Sequence, residues 1–249
     1  MKVAAAMLCC GLLSASIAPE TPCTHSVLPS LRWSECAGGD LWVIETLRPI
    51  EPFFSATDVP TLRARAQRSP GRSLLVNGGY HDGHYAEPRL EGLLSLRGKT
   101  AGELKAGDLQ LTHVMSIDAA GRIASFRAAE AGIAARLETN HSHVQSGPLI
   151  LDEGKIAVAA IERSVNGKDP YKRTAIGRTA AGETIIVVAK TPQTLANLAR
   201  LVLRINDYDR RRLTLLNLDG GPSTAIHSNQ SPRLSYGADK ITPVGFALR

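Results

Sequence analysis

The chain has 249 residues, a formal charge of +6, 43% hydrophobic residues and 21% charged residues. That balance excludes a disordered chain and a multi-span membrane protein, and the length is enough to bury a core. Aromatic residues make up only 4%, too few for a base-stacking platform. Basic residues are scattered apart from Arg210, Arg211 and Arg212, so no nucleic-acid partner is expected, only a mild attraction to anionic substrates.

Residues 1–18 combine one lysine, an apolar run and small residues at Ser16 and Ala18. This is the layout of a secretory signal peptide, too short for a comfortable membrane span. The expectation is therefore an exported protein, secreted or periplasmic, with no stable membrane insertion once the signal is removed. Cys9 and Cys10 would leave with it. Cys23 and Cys36 remain, in a segment 19–40 that precedes the main domain at 41–249. An even pair in an oxidising compartment points to a disulfide.

The strand signals begin at 41–46, LWVIET, with Pro49 and Pro52 expected to end the run. Residues 61–68 suit a short basic helix. Residues 73–77 form an apolar run entering Gly78 and Gly79, and 93–96 and 111–117 are further strand candidates. The Ala-rich stretch 119–138 fits either a helix or two short strands. Residues 149–151 and 156–161 flank the turn Asp152-Glu153-Gly154-Lys155 and predict a hairpin. The β-branched run 184–189 predicts a central strand.

A helix is predicted from Thr191, with Thr191 as cap and Pro192 in the first turn. Leu195, Leu198, Val202 and Ile205 supply its apolar face, and Asn206 and Asp207 close it. Residues 213–218 are another buried strand, entering Asp219, Gly220 and Gly221. The pattern as a whole predicts an α+β fold, a single domain on a mixed β-sheet with flanking helices.

Two segments share one design, an apolar strand followed by a polar residue and two glycines: LLVNGGY at 74–80 and LLNLDGGPS at 215–223. Paired glycines let a backbone approach a ligand closely, and they equally suit simple hairpin turns. The corner at Gln145-Ser146-Gly147-Pro148 and the run Lys172-Arg173-Thr174-Ala175-Ile176-Gly177 add polar residues beside apolar strands.

In order, the motifs NGGY (77–80), EGLL (91–94), SGPLIL (146–151), RTAIG (173–177) and NLDGGPS (217–223) resemble the phosphodiester glycosidase family. The resemblance covers residues 40–249. It implies hydrolysis of a sugar joined through C1 to a phosphate ester, releasing free sugar and a phosphomonoester. It also implies that Asn77, Arg173, Thr174, Asp219 and Ser223 line the site, with Gly78, Gly79, Gly220 and Gly221 shaping it. His81 stands where the family often has a second aromatic residue, and Pro222 where it usually has a small one.

Within that reading, Asp219 acts at C1 as nucleophile or as base for water, and Arg173 forks onto the departing phosphate. Asn77 and Thr174 orient sugar or phosphate oxygens. A second carboxylate is expected from Asp82, Glu87 or Glu91, with Glu87 ranked first for its mid-loop position. No cofactor or metal is called for, and the partner is a phosphorylated sugar or glycan. Two alternatives remain: a metal-dependent phosphodiesterase using His81, His84, His141, His143 and Asp219, and a non-catalytic module that binds phosphorylated envelope glycans.

Overall fold

The computed structural model describes residues 22–248 apart from 29, 56–60, 72, 83–88, 138 and 238–241. The signal segment 1–18 lies outside the described residues. So do Glu87 and His84.

Strand outweighs helix, and the strands form three sheets. The largest has eight strands, in the order β1 (Cys23–Leu28), β2 (Leu31–Cys36), β3 (Leu41–Thr46), β14 (Thr184–Gln193), β13 (Tyr171–Arg178), β15 (Thr214–Asn217), β11 (Leu149–Asp152) and β12 (Lys155–Ile156). A five-stranded sheet runs β7 (Lys99–Thr100), β6 (Leu94–Leu96), β10 (Ser142–Ser146), β8 (His113–Ile117) and β9 (Ile123–Arg127). A four-stranded sheet runs β16 (Ile226–Ser228), β5 (Leu74–Asn77), β17 (Val244–Leu248) and β4 (Ile50–Phe54). Every strand pairing among the described residues is antiparallel. The single mixed sheet predicted from the sequence is corrected on both counts, because periodicity marks strands without naming their partners. Flanking helices are sparse: α1 (Leu62–Arg68), α2 (Ile133–Arg136), α3 (Val158–Arg163) and α4 (Leu195–Leu203).

The central strands of the eight-stranded sheet are buried on both faces, which explains their unbroken apolar runs. Along β14, Ile186 and Val188 face one core, with Trp33, Trp42, Met115 and Phe246. Ile185, Val187 and Ala189 face the other, where Leu195, Leu198, Ala199 and Val202 of α4 pack. Each residue points opposite to its neighbour, so only a strand covered on both sides tolerates TIIVVA.

Several boundaries move from their predicted places. Pro52 lies within β4 instead of ending a strand, since β4 is an edge strand and the missing N–H is not needed there. β14 continues through Thr191 and Pro192, where its pairing with β13 becomes irregular. Thr194, not Thr191, caps α4, its hydroxyl accepting the Asn197 N–H at 3.2 Å. The 149–156 hairpin forms, with Glu153 and Gly154 both at positive φ in its turn. Residues 158–161, expected to lie in its second arm, instead belong to α3, which buries Ile161. The undecided stretch 119–138 is one strand, β9, and one helical turn, α2.

Segment 19–40 supplies β1 and β2, which extend the main sheet from β3. Cys23 and Cys36 face each other across that hairpin and are disulfide-bonded.

Candidate active site at the two glycine corners

The two glycine corners lie 142 residues apart in sequence and meet in space. β5 ends at Asn77, and Gly78 then crosses β17 so closely that a Cβ would sit 2.9 Å from the Gly245 Cα. β15 ends at Asn217, and Gly220 backs onto β13, where a Cβ would lie 2.7 Å from the Lys172 carbonyl oxygen. Both glycines are required by close approach of backbones. Gly221 opens the 3-10 turn Gly221–Ser223 at φ +57°. Gly79 is in ordinary contact range of Val144.

Asn77 clips the corners together. Its Nδ2 donates to the Asp219 carbonyl oxygen at 2.7 Å. Its Oδ1 accepts the Thr174 hydroxyl at 2.7 Å and the Ala225 N–H at 3.0 Å. The Asp219 N–H donates to the Gly78 carbonyl at 3.0 Å, and the Leu218 N–H to the Thr174 carbonyl at 2.9 Å. Asn77 and Thr174 are buried, so their side chains brace the corner from behind.

That bracing fixes the Asp219 backbone and leaves its carboxylate at the mouth, with the side chain 18% exposed. Oδ1 accepts the Gly220 N–H at 2.9 Å, and Oδ2 lies 3.5 Å from His81 Nδ1. Burial pushes the Asp219 pKa above the ordinary aspartate value; the Ser223 hydroxyl, His81 and the Gly220 N–H oppose the shift, and the Glu91 charge adds to it.

Arg173 is buried beside this corner, its Cδ 3.8 Å from where a Gly220 Cβ would be. Its Nε donates to the Gln193 carbonyl at 3.0 Å, and Nη2 donates to the Asn166 and Asp169 carbonyls, each at 2.7 Å. The guanidinium is thus a fixed positive charge oriented by backbone oxygens, and its fork is largely engaged. Burial lowers its pKa, while Tyr80, Tyr171 and Asp169 favour the charged form.

Three residues that the sequence left without a role, or in a lesser one, complete the site. The Tyr80 hydroxyl donates to the Gly147 carbonyl at 2.9 Å and accepts Asn217 Nδ2 at 2.6 Å. Burial, then the Asp219 charge, drives its pKa upward and keeps the phenol neutral. Tyr80 stands in NGGY and Asn217 in NLDGG, so the motifs contained them without announcing their mutual contact. Glu91 is placed by a short neck in which the Glu91 N–H donates to the Tyr80 carbonyl and the Asp82 N–H to the Arg89 carbonyl. Asp82 turns back on this neck, its Oδ1 accepting the Arg89 N–H at 3.2 Å.

Among the described residues, His81 stands beside Asp219 and the His141 and His143 rings lie 6.3 Å apart, without forming one joint ligand group. His141 Nδ1 lies 3.1 Å from the Ser116 hydroxyl, and His143 is buried in β10 of the five-stranded sheet. No group of three or more His, Cys, Asp or Glu side chains converges among the described residues.

The phosphodiester glycosidase family model matches residues 71–248, which include both corners, the Arg173 strand and everything between them. The chain belongs to the phosphodiester glycosidase family.

Solved structures agree on the fold. The chain is similar to the catalytic domain of zebrafish N-acetylglucosamine-1-phosphodiester alpha-N-acetylglucosaminidase, auto-inhibited by its pro-peptide, with a TM-score of 0.59 and 16% identity over 94% of this chain and 85% of that one. A hypothetical protein from Synechocystis matches with a TM-score of 0.54 and 14% identity, over 94% of this chain and 65% of that one. A protein from Burkholderia pseudomallei, named as a candidate exported protein, matches with a TM-score of 0.61 and 10% identity, over 88% and 74%. No curated protein sequence matches significantly. Phosphodiester glycosidase membership suggests a hydrolase and a phosphorylated sugar substrate. No helix among the described residues is long and apolar enough to cross a membrane.

Proposed function

We propose that this phosphodiester glycosidase is an exported hydrolase that cleaves a sugar-1-phosphodiester at the C1–O bond, releasing free sugar and a phosphomonoester. The observation that carries the reading is the Asp219 carboxylate, held at the junction of the two glycine corners by its own immobilised backbone. Family membership, with a zebrafish N-acetylglucosamine-1-phosphodiester alpha-N-acetylglucosaminidase among the structural neighbours, supports the reaction class. The disulfide and the N-terminal signal pattern support export.

Glycoside hydrolysis needs a carboxylate at C1 and a route for the leaving group to depart. A phosphate monoester is a weakly basic leaving group, so stabilising its charge matters more than protonating it strongly. Asp219 attacks C1 or activates water there. Ser223 and the Gly220 N–H hold its oxygens in one orientation. Arg173, fixed behind Gly220, supplies positive charge toward the departing phosphate. The neutral Tyr80 hydroxyl and His81 flank the carboxylate. Glu91 is the candidate second carboxylate among the described residues, because its charge acts on Asp219; Glu87 lies outside them.

Release of free sugar from a panel of sugar-1-phosphodiesters tests the reading. Wild-type protein is expected to liberate sugar, and Asp219→Asn, folded, to lose at least a hundredfold in kcat. Sugar release by folded Asp219→Asn at the wild-type rate would remove Asp219 from the chemistry.

A further inference from the structure

Beside the acid corner runs a cleft of about 520 Å³, within the size range of small-molecule sites. Its walls are largely apolar: Leu109 and Leu149 on one side, and Ile156, Ala157, Val158 and Ala160 of the hairpin and α3 on the other. Arg127, Lys155 and Arg163 add positive charge, and Asp152 adds a carboxylate. Asp108 is turned into its own loop, its Oδ1 accepting the Gln110 and Leu111 N–H groups at 2.7 and 2.8 Å. His113 also lines the cleft, and burial lowers its pKa to about 4, so it presents a neutral wall.

The cleft is separated from the acid corner by a polar sill. Asn166 forms it: its carbonyl accepts Arg173 Nη2 at 2.7 Å, and its Nδ2 donates to Gln110 Oε1 at 3.2 Å. Gln110 also bonds the Tyr80 hydroxyl, and Leu109 and Thr112, to either side of it in sequence, line the cleft. Exposed apolar side chains concentrate along this path. Leu109 and Val158 are 53% and 54% exposed at the cleft, and Val165 and Tyr171 are 68% and 42% exposed nearer Arg173. The Arg173 guanidinium lies 5.2 Å from the Tyr171 ring centroid. Large apolar groups left in water beside a cleft mark a surface that a ligand covers.

We propose that this cleft receives the second ester group of the phosphodiester, and that this group is a long apolar alcohol. The inference rests on the sugar-1-phosphodiester reading, since the phosphate at Arg173 is what joins the sugar to its second ester. With C1 at Asp219 and the phosphate near the sill, the remaining substituent leads past Asn166 and Gln110 into the apolar cleft. A sugar or a short polyol there would leave its hydroxyls against Leu, Ile and Val with few partners. An alkyl or prenyl chain instead covers Leu109 and Val158.

The test compares methyl and octyl esters of the same sugar-1-phosphate, together with methyl and octyl phosphate as binding probes measured by calorimetry. Wild-type protein is expected to prefer the octyl ester by about tenfold or more in kcat/KM, from partial burial of the added methylenes. The double variant Leu109→Gln, Val158→Gln, changed at exposed positions to neutral side chains, is expected to bring that ratio several-fold closer to one. Octyl phosphate should bind about tenfold tighter than methyl phosphate, a readout that stands even if neither ester is hydrolysed. A turnover failure with intact octyl preference in binding would reject the reaction and keep the cleft. Equal binding of the two phosphates, or a ratio untouched by the double variant, would overturn the cleft assignment.

Discussion

The Asn77 amide donates to the backbone carbonyl of Asp219 at 2.7 Å, joining two strand ends that are 142 residues apart. This single side chain holds the acidic corner against the first glycine corner, and it also ties down Thr174 and Ala225. Asn77 therefore positions the backbone that carries the Asp219 carboxylate.

Replacing Asn77 with Ala strands the Asp219 carbonyl, the Thr174 hydroxyl and the Ala225 N–H in a buried place. Each unpaired group costs about 1–3 kcal/mol, so a loss on the order of 3 kcal/mol is expected in urea unfolding. Turnover by the folded fraction should fall as well, because Asp219 loses its anchor. Wild-type stability in Asn77→Ala would contradict the clip.

Asp219 should carry a stability penalty at neutral pH. Its folded pKa is raised, so the protein gains stability from the protonated form below the ordinary aspartate value, and that contribution is lost as pH rises through the raised pKa. Asp219→Asn removes the charge and is expected to raise Tm at pH 7 while abolishing turnover. The Tm gap should close below about pH 4, the unfolded aspartate value. A Tm gap independent of pH would show that the Asp219 titration is not its source.

Ser223 and His81 both oppose the burial shift. Ser223→Ala or His81→Gln should move the acidic limb of the kcat/KM profile to higher pH, since the carboxylate must be ionised to act. An unmoved limb in both variants would assign that limb to another group.

The second glycine pair separates two kinds of constraint. Gly220→Ala puts a Cβ 2.7 Å from the Lys172 carbonyl oxygen, a backbone atom that cannot swing aside. Gly221→Ala meets nothing within 4 Å but must hold φ near +57°, a cost of about 1 kcal/mol. Gly220→Ala is therefore expected to lose far more stability and activity than Gly221→Ala, as measured by Tm and turnover side by side.

Much of this site could be found from the chain alone, and the reasons are local. A buried strand that ends in a polar residue and two glycines is visible at 77–79 and again at 219–221. The TIIVVA run declares a strand covered on both faces. Relationships between distant segments were not visible. Pairing partners are set by packing, so three antiparallel sheets could not be separated from one mixed sheet. Thr191 and Pro192 carry helix-start chemistry, yet tertiary pairing keeps them in β14 and passes the cap to Thr194. Arg173 stands out in the sequence as a candidate site arginine, whereas the three carbonyls that engage it come from residues 166, 169 and 193. The influence of Glu91 on Asp219 depends on the Tyr80–Glu91 neck, a pairing the sequence does not announce.

Under the proposed C1–O cleavage water ends up on the sugar, whereas O–P cleavage would put it on the phosphate. Hydrolysis of a sugar-1-phosphodiester in ¹⁸O-labelled water, followed by mass analysis of both products, tests this most directly. The account predicts label at C1 of the released sugar and none in the phosphomonoester. Label in the phosphate would contradict it and make the enzyme a phosphodiesterase.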